Sequence, residues 1–170
     1  GKSAFWHSSA HVLAQGIMHF YPDALLTIGP SIENGFYYDV DFGDEDFGEK
    51  DFKRLEDKMI EFARQKHKFK MRSVSKKDAL SLFKKNPFKT ELIKNLEDGS
   101  ITFCDHSDFT DLCRGGHIPN TGLLKSFKIM SVAGAYWRGD ENKPQLSRVY
   151  GISFPKHSML VKHLEMLEEA

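Results

Sequence analysis

The opening stretch of the chain constrains the fold more than any other. Phe5, Val12, Leu13, Ile17 and Phe20 recur near helical spacing, between Ser3 as a candidate N-cap and Tyr21-Pro22, which ends the run. The segment is apolar around most of its circumference. A helix of that kind cannot lie on a surface, and other elements have to enclose it. It also carries two histidines, His7 and His11, four residues apart and therefore one turn apart on one face.

The remaining chain offers strands and helices in mixed order. Residues 25–28 read as a short strand closed by Gly29-Pro30, and Asn34-Gly35 as a turn. Residues 36–42 form an aromatic-rich strand on which one of Tyr37 and Tyr38 faces inward and the other outward. After an acidic loop, residues 49–66 make an amphipathic helix whose apolar side is Phe52, Leu55, Met59, Phe62 and Ala63. Residues 69–74 read as a strand, and Ser75 caps a short helix through Phe83. Pro87-Phe88 breaks that run, and a further helix passes through Lys89, Leu92 and Leu96. Residues 101–103 and 109–112 alternate as hairpin strands around 105–108, and 114–120 is a loop. A long strand over 125–137, with a kink expected at Gly134, precedes a strand over 145–154 and a helix from Pro155 onward. This order predicts an α+β fold: a mostly antiparallel sheet wrapped around a central buried helix, with further flanking helices.

The chain's 170 residues suit a single domain over 1–170. Its missing initiator Met and a last helical pattern that stops uncapped lead us to expect a piece of a longer protein. Fourteen phenylalanines are expected to carry much of the core. Two cysteines, Cys104 and Cys113, make no disulfide framework and fit a reducing, cytoplasmic setting. No apolar run approaches the roughly 20 residues needed to span a bilayer, so no membrane partner is expected. Twenty-four basic residues balance twenty-four acidic ones. A dedicated nucleic-acid binder is usually more basic, so any RNA contact has to be local or supplied by another domain. The lysines of 66–70, 76–77 and 84–85 read as a solvated face, with phosphate contact as the alternative.

Chemistry concentrates at two places. His7-x-x-x-His11 is joined, a hundred residues on, by Asp111-Leu112-Cys113-Arg114-Gly115-Gly116-His117, which holds Cys-x-x-x-His. Either motif alone is as well explained by hydrogen-bonded core residues. Together they form a four-donor set suited to Zn²⁺. Asp111 stands two residues before Cys113, so on a strand both side chains share a face. Lys89 sits at a helix start, where a lone lysine is ordinarily solvent-exposed. The other histidines, His19, His67, His106, His157 and His163, read as structural, and Cys104-Asp105-His106 as a turn rather than a second ligand cluster.

These residues carry a resemblance. His7-Ser8-Ser9-Ala10-His11, Ile28-Gly29-Pro30, Asn34 to Asp39, Asp111 to His117 and Ala133 to Asp140 are similar, in order and spacing, to the editing domain of threonyl-tRNA synthetase, the second additional (tRNA_SAD-type) domain. The Tyr136-Trp137-Arg138-Gly139-Asp140 segment points to the threonyl branch rather than the alanyl one. Gly116 stands where this motif commonly has proline. The resemblance implies an aminoacyl-tRNA deacylase that hydrolyses Ser mischarged onto threonine tRNA, within a class II, ATP-dependent, homodimeric and cytoplasmic ligase. The ligase active site would lie outside this chain. The partners it implies are the acceptor end of the tRNA and the rest of the synthetase.

The roles it implies are these. His7 positions or activates water, Lys89 acts with it, and His11, Cys113 and His117 complete the site. Asp111 contacts the aminoacyl ammonium, and Tyr38 lies near the terminal adenosine. Alanyl relatives use the His7, His11, Cys113 and His117 set for zinc. Threonyl sites are described as working without it, so no cofactor is required and zinc remains the alternative. The other reading kept open is a zinc-stabilised RNA-binding module without catalysis.

Overall fold

Every residue of the first helix, α1 (Lys2–Phe20), from Ser8 to Ile17 is buried. Val12, Leu13 and Ile17 are fully enclosed, each contributing roughly 1.5–3 kcal/mol of burial free energy. The computed structural model describes all 170 residues and shows what surrounds that helix. Strands β1 (Leu25–Leu26), β2 (Ser31–Ile32) and β3 (Gly35–Asp41) are followed by helix α2 (Phe52–Arg64) and strand β4 (Lys70–Ser73). Helices α3 (Lys76–Leu82) and α4 (Pro87–Lys94) precede strands β5 (Thr102–His106) and β6 (Phe109–Leu112). Strands β7 (Ser126–Tyr136) and β8 (Gln145–Phe154) and helix α5 (His157–Glu169) complete the chain.

The strands form two antiparallel sheets. One has the order β1-β3-β8-β7, with β2 also paired to β3; the other is β4-β5-β6. Helix α1 packs on β3 and β8 of the larger sheet with α2 beside it. Phe36, Tyr38 and Val40 reach from β3 into the same core as Leu13, Ile17, Leu55 and Met59. The α3–α4 pair covers the smaller sheet through Ala79, Ile93, Ile101 and Phe103. Helix α4 also touches the larger sheet, where Phe88 packs on Trp137 and Leu146. It therefore bridges the two sheets beside the space where α1 begins. No helix is long and apolar enough to cross a membrane.

The α+β architecture around a buried helix is thus the one expected, as is strand β4, and five local details differ. Helix α1 starts from Gly1 without a side-chain cap; Ser3 lies inside its first turn, with its Oγ 2.9 Å from Ser31 Oγ. The helix expected over 49–66 opens with a short 3-10 turn (Glu49–Asp51), where Gly48 N–H donates to Asp51 Oδ2. Strand β2, only two residues long, carries too little pattern to read. The irregularity of β7 lies between Ile129 and Ser131, not at Gly134. Cys104-Asp105-His106 is strand β5, not a turn; the reversal falls at Ser107, with φ 54°.

Candidate functional site

Four side chains expected to converge do so. One ligand atom each from His7, His11, Cys113 and His117 lies within 4.8 Å of the others. The two helical donors come from the first half of α1, and the other two from the loop that leaves β6. Gly115 and Gly116 shape that loop at φ +106° and +83°. Proline, fixed near −65°, cannot take the second value, so glycine at 116 goes with this chain's own loop path. The result stacks His117 on His7, centroids 4.5 Å apart.

Cys113 Sγ accepts from Gly115 N–H at 3.2 Å and has His117 Nε2 at 3.0 Å and His7 Nε2 at 3.7 Å. The Cys104 thiol beside it favours the Cys113 thiolate; burial opposes ionisation, and the His11, His117 and His7 imidazoles outweigh burial. Cys113 is accordingly held well below an ordinary thiol pKa, and Cys104 is pushed above it by the same contact and by burial. Burial works against the charged form of His7, yet the Cys113 sulfur and the Gly115 carbonyl raise its pKa overall. His7 Nδ1 donates to that carbonyl at 3.1 Å, leaving Nε2 facing the cluster. Ser8 Oγ pairs with His117 Nδ1 at 3.0 Å and accepts from Ile118 N–H at 3.1 Å. Buried His11 Nδ1 has no partner.

This donor set fits a zinc ion. Three imidazoles and a thiolate are a tetrahedral ligand combination with metal–ligand bonds of about 2.0–2.3 Å. The oxygen partners at Nδ1 of His7 and His117 are the supports that hold such ligands in orientation.

Behind the cluster, a cavity of about 350 Å³ is lined by His7, His11, Tyr38, Lys89, Asp111 and Cys113, with Ile28, Pro30 and Leu92 among its apolar walls. Lys89 is not solvated as a lone lysine ordinarily is. It is 2% exposed and paired to Asp111, which is 3% exposed. Tyr38 completes a triad: its hydroxyl accepts from Lys89 Nζ at 3.0 Å and donates to Asp111 Oδ2 at 2.5 Å. Burial, then the Asp111 charge, lifts the Tyr38 pKa well above its usual value, so it stays a neutral hydroxyl. Asp111 also takes the Leu112 N–H at 2.8 Å.

Local sequence explains how the triad is held. Asn86 caps α4 by accepting from Phe88 and Lys89 N–H, both at 3.1 Å, with Pro87 in the first turn. Trp137, within the Tyr-Trp-Arg-Gly-Asp segment, meets Phe88 edge-on at 5.2 Å and donates from Nε1 to Glu91 Oε2 at 2.5 Å. That segment therefore steadies the helix bearing Lys89. At Gly29 an added Cβ would stand 2.2 Å from the Tyr38 ring, so the ring lies directly on bare backbone.

All seven anticipated residues thus come together. Sequence reasoning gave no individual role to Gly29, Ser8 or Gln15, and its reading of His106 as structural is borne out. His106 is buried beside His11, centroids 6.3 Å apart, and its Nε2 pairs with Gln15 Oε1 at 2.8 Å. Burial, then His11 and His117, depress its pKa to about 3. Nothing in its spacing marked it. The two tyrosines expected to face opposite ways do so: Tyr38 faces inward, and Tyr37 outward under the Arg148 guanidinium at 4.2 Å.

Residues 101–150 match the family described as the threonyl and alanyl tRNA synthetase second additional domain. All 170 residues align with threonine–tRNA ligases: 64% identical in Flavobacterium psychrophilum and 65% in Flavobacterium johnsoniae, each time covering 26% of the ligase. The ligase of Cytophaga hutchinsonii is 55% identical over 172 aligned positions, with 27% of it covered. The chain thus spans about a quarter of the length of the curated relatives it matches. Residues 101–150 thus carry the second additional domain of threonyl and alanyl tRNA synthetases, within a chain that is similar over its whole length to threonine–tRNA ligases.

Proposed function

We propose that residues 1–170 act as one editing domain of a longer synthetase, hydrolysing the ester that joins serine to threonine tRNA. The observation that supports this most is the shared cavity, where His7 faces a buried Lys89–Asp111–Tyr38 triad. Water adds to the ester carbonyl while His7 Nε2 takes its proton. The carbon–oxygen bond to the ribose then breaks, and the ribose oxygen recovers a proton from His7. Lys89 acts with His7 on the water, Asp111 holds the substrate ammonium, and Tyr38 seats the terminal adenosine. No covalent intermediate is needed, so Cys113 holds His7 and His117 rather than attacking.

The need for such a site follows from magnitude. A synthetic pocket gains only about 1–3 kcal/mol from threonine's extra methyl, so serine slips through. A second pocket that admits serine and clashes with that methyl restores accuracy. A Zn²⁺ held by His7, His11, Cys113 and His117 would supply a Lewis acid. We assign the reaction to the side chains, because His7 Nε2 is then free to accept a proton. ATP-dependent ligation, a homodimer and a cytoplasmic location belong to the longer protein in this reading.

The test is deacylation of Ser-tRNA against Thr-tRNA. Loss of a general base lowers the rate by about 10²–10⁴, so His7→Ala should abolish serine release while the chain stays folded. Wild-type hydrolysis should survive chelation. The donor cluster favours one second reading, a zinc-stabilised RNA-binding module. In that case chelation unfolds the chain and no ester is cleaved.

A further inference from the structure

A basic strip at residues 66–70 has no part in the site described. Lys66, Lys68 and Lys70 are exposed, and none of them is paired with a carboxylate. Together with His67, Asp105, His106 and Ser107 they line a cavity of about 320 Å³ that has no hydrophobic residue in its wall. Asp105, the one carboxylate there, is already neutralised by Arg72 at 2.7 Å and accepts from Thr110 at 2.5 Å. Buried His106 lines the same cavity with an unpartnered Nδ1.

The strip is also held rigid, unlike a freely solvated run of lysines. Lys66 sits at φ 56° and Ser107, across the cavity, at φ 54°; left-handed backbone outside glycine is uncommon and persists where surroundings enforce it. Thr121 N–H donates to the His67 carbonyl at 2.9 Å, and His67 N–H to Thr121 Oγ1 at 3.0 Å. Phe69 N–H reaches the Pro119 carbonyl at 3.3 Å. Phe69 itself points inward and stacks on His117, centroids 4.8 Å apart. The lysines on either side of it are thereby set at a fixed place relative to the His7–His117 cluster.

We propose that this strip binds the sugar–phosphate backbone of the RNA whose acylated end enters the site. Three unpaired ammonium groups around a polar concavity match the spaced negative charge of a phosphodiester chain. In a chain of zero net charge, whatever attraction the chain itself contributes comes from a local patch of this kind. The proposal rests on the hydrolytic reading above, because it takes the acylated RNA as its ligand.

The experiment compares the full chain with Lys66→Gln/Lys68→Gln/Lys70→Gln, and with an arginine triple variant that keeps the charge. Two substrates are used, seryl-tRNA and a short seryl ester of adenosine. Each lost phosphate contact lowers the salt slope by about 0.7–0.9. For the glutamine variant we expect KM for seryl-tRNA to rise about tenfold or more, with its log–log salt dependence flatter by roughly 2. Hydrolysis of the short ester should not change, and arginine should restore both tRNA values. Unchanged KM and salt slope, while wild type cleaves both substrates, overturns the proposal. If wild type cleaves neither, the hydrolytic reading is what fails. Titration of uncharged tRNA into wild type and the glutamine variant then judges the strip, where an equal Kd and salt slope overturn it.

Discussion

The Lys89–Asp111 pair allows a prediction in which stability and chemistry separate. The two side chains are 2% and 3% exposed, so neither charge is solvated in the folded state. Asp111→Asn keeps the shape and the Tyr38 acceptor, and leaves the Lys89 ammonium without a counter-charge. Breaking one partner of a buried pair destabilises by about 3–5 kcal/mol. For a chain of this size 1 kcal/mol moves Tm by roughly 2–4 °C, so the midpoint should fall by about 6–20 °C. Replacing the pair together, as Lys89→Met/Asp111→Leu, removes both desolvation penalties. Such swaps are often neutral or stabilising, so the double variant should lie within about 1 kcal/mol of wild type if the two side chains repack well. Urea and thermal unfolding of wild type, Asp111→Asn, the singles Lys89→Met and Asp111→Leu, and the double variant measure this directly. Both variants should lose serine release, the double variant while remaining folded. An Asp111→Asn protein within about 0.5 kcal/mol of wild type, or a double variant as unstable as the sum of the singles, would refute the reasoning.

Four further outcomes are expected. Gly29→Ala brings a Cβ to 2.2 Å from the Tyr38 ring; overpacking of this sort costs about 1–3 kcal/mol, and the penalty should shrink in a Tyr38→Ala background, as a double-mutant cycle would record. His106, with its pKa depressed to about 3, contributes stability that is complete above its unfolded value near 6.5. That contribution is lost as pH falls from 6.5 toward 3, by up to about 1.4 kcal/mol per unit, and His106→Asn should flatten the acid limb of a stability–pH curve. The raised His7 pKa sets the sign for activity: the neutral imidazole is the base, so serine release should climb with pH through an apparent pKa above 6.5, and a flat profile there would argue against His7. Finally, Co²⁺ should bind the His7–His117 cluster with a thiolate charge-transfer band. Cys113→Ala should remove the band, with binding weakening as pH falls because the ligands take up protons.

The sequence by itself determined the enclosed first helix, the strand-rich frame, and the two local pairs, His7 with His11 and Cys113 with His117, whose meeting was the work of the tertiary structure. Each of these rests on local rules: helical spacing, alternation, and a short loop between two ligands. Ser75 as a cap and the opposite facing of Tyr37 and Tyr38 were legible for the same reason. What only the tertiary structure decided lay between distant residues. Lys89 looked like a surface lysine until α4, steadied by Trp137 and Glu91, carried it against Asp111 and Tyr38. Gln15 carried no signal until β5 brought the buried, structural His106 against it. Gly29 read only as the end of a short strand until the Tyr38 ring lay on it. Burial and partnership are properties of pairs far apart in the chain, and no window of neighbouring residues contains them.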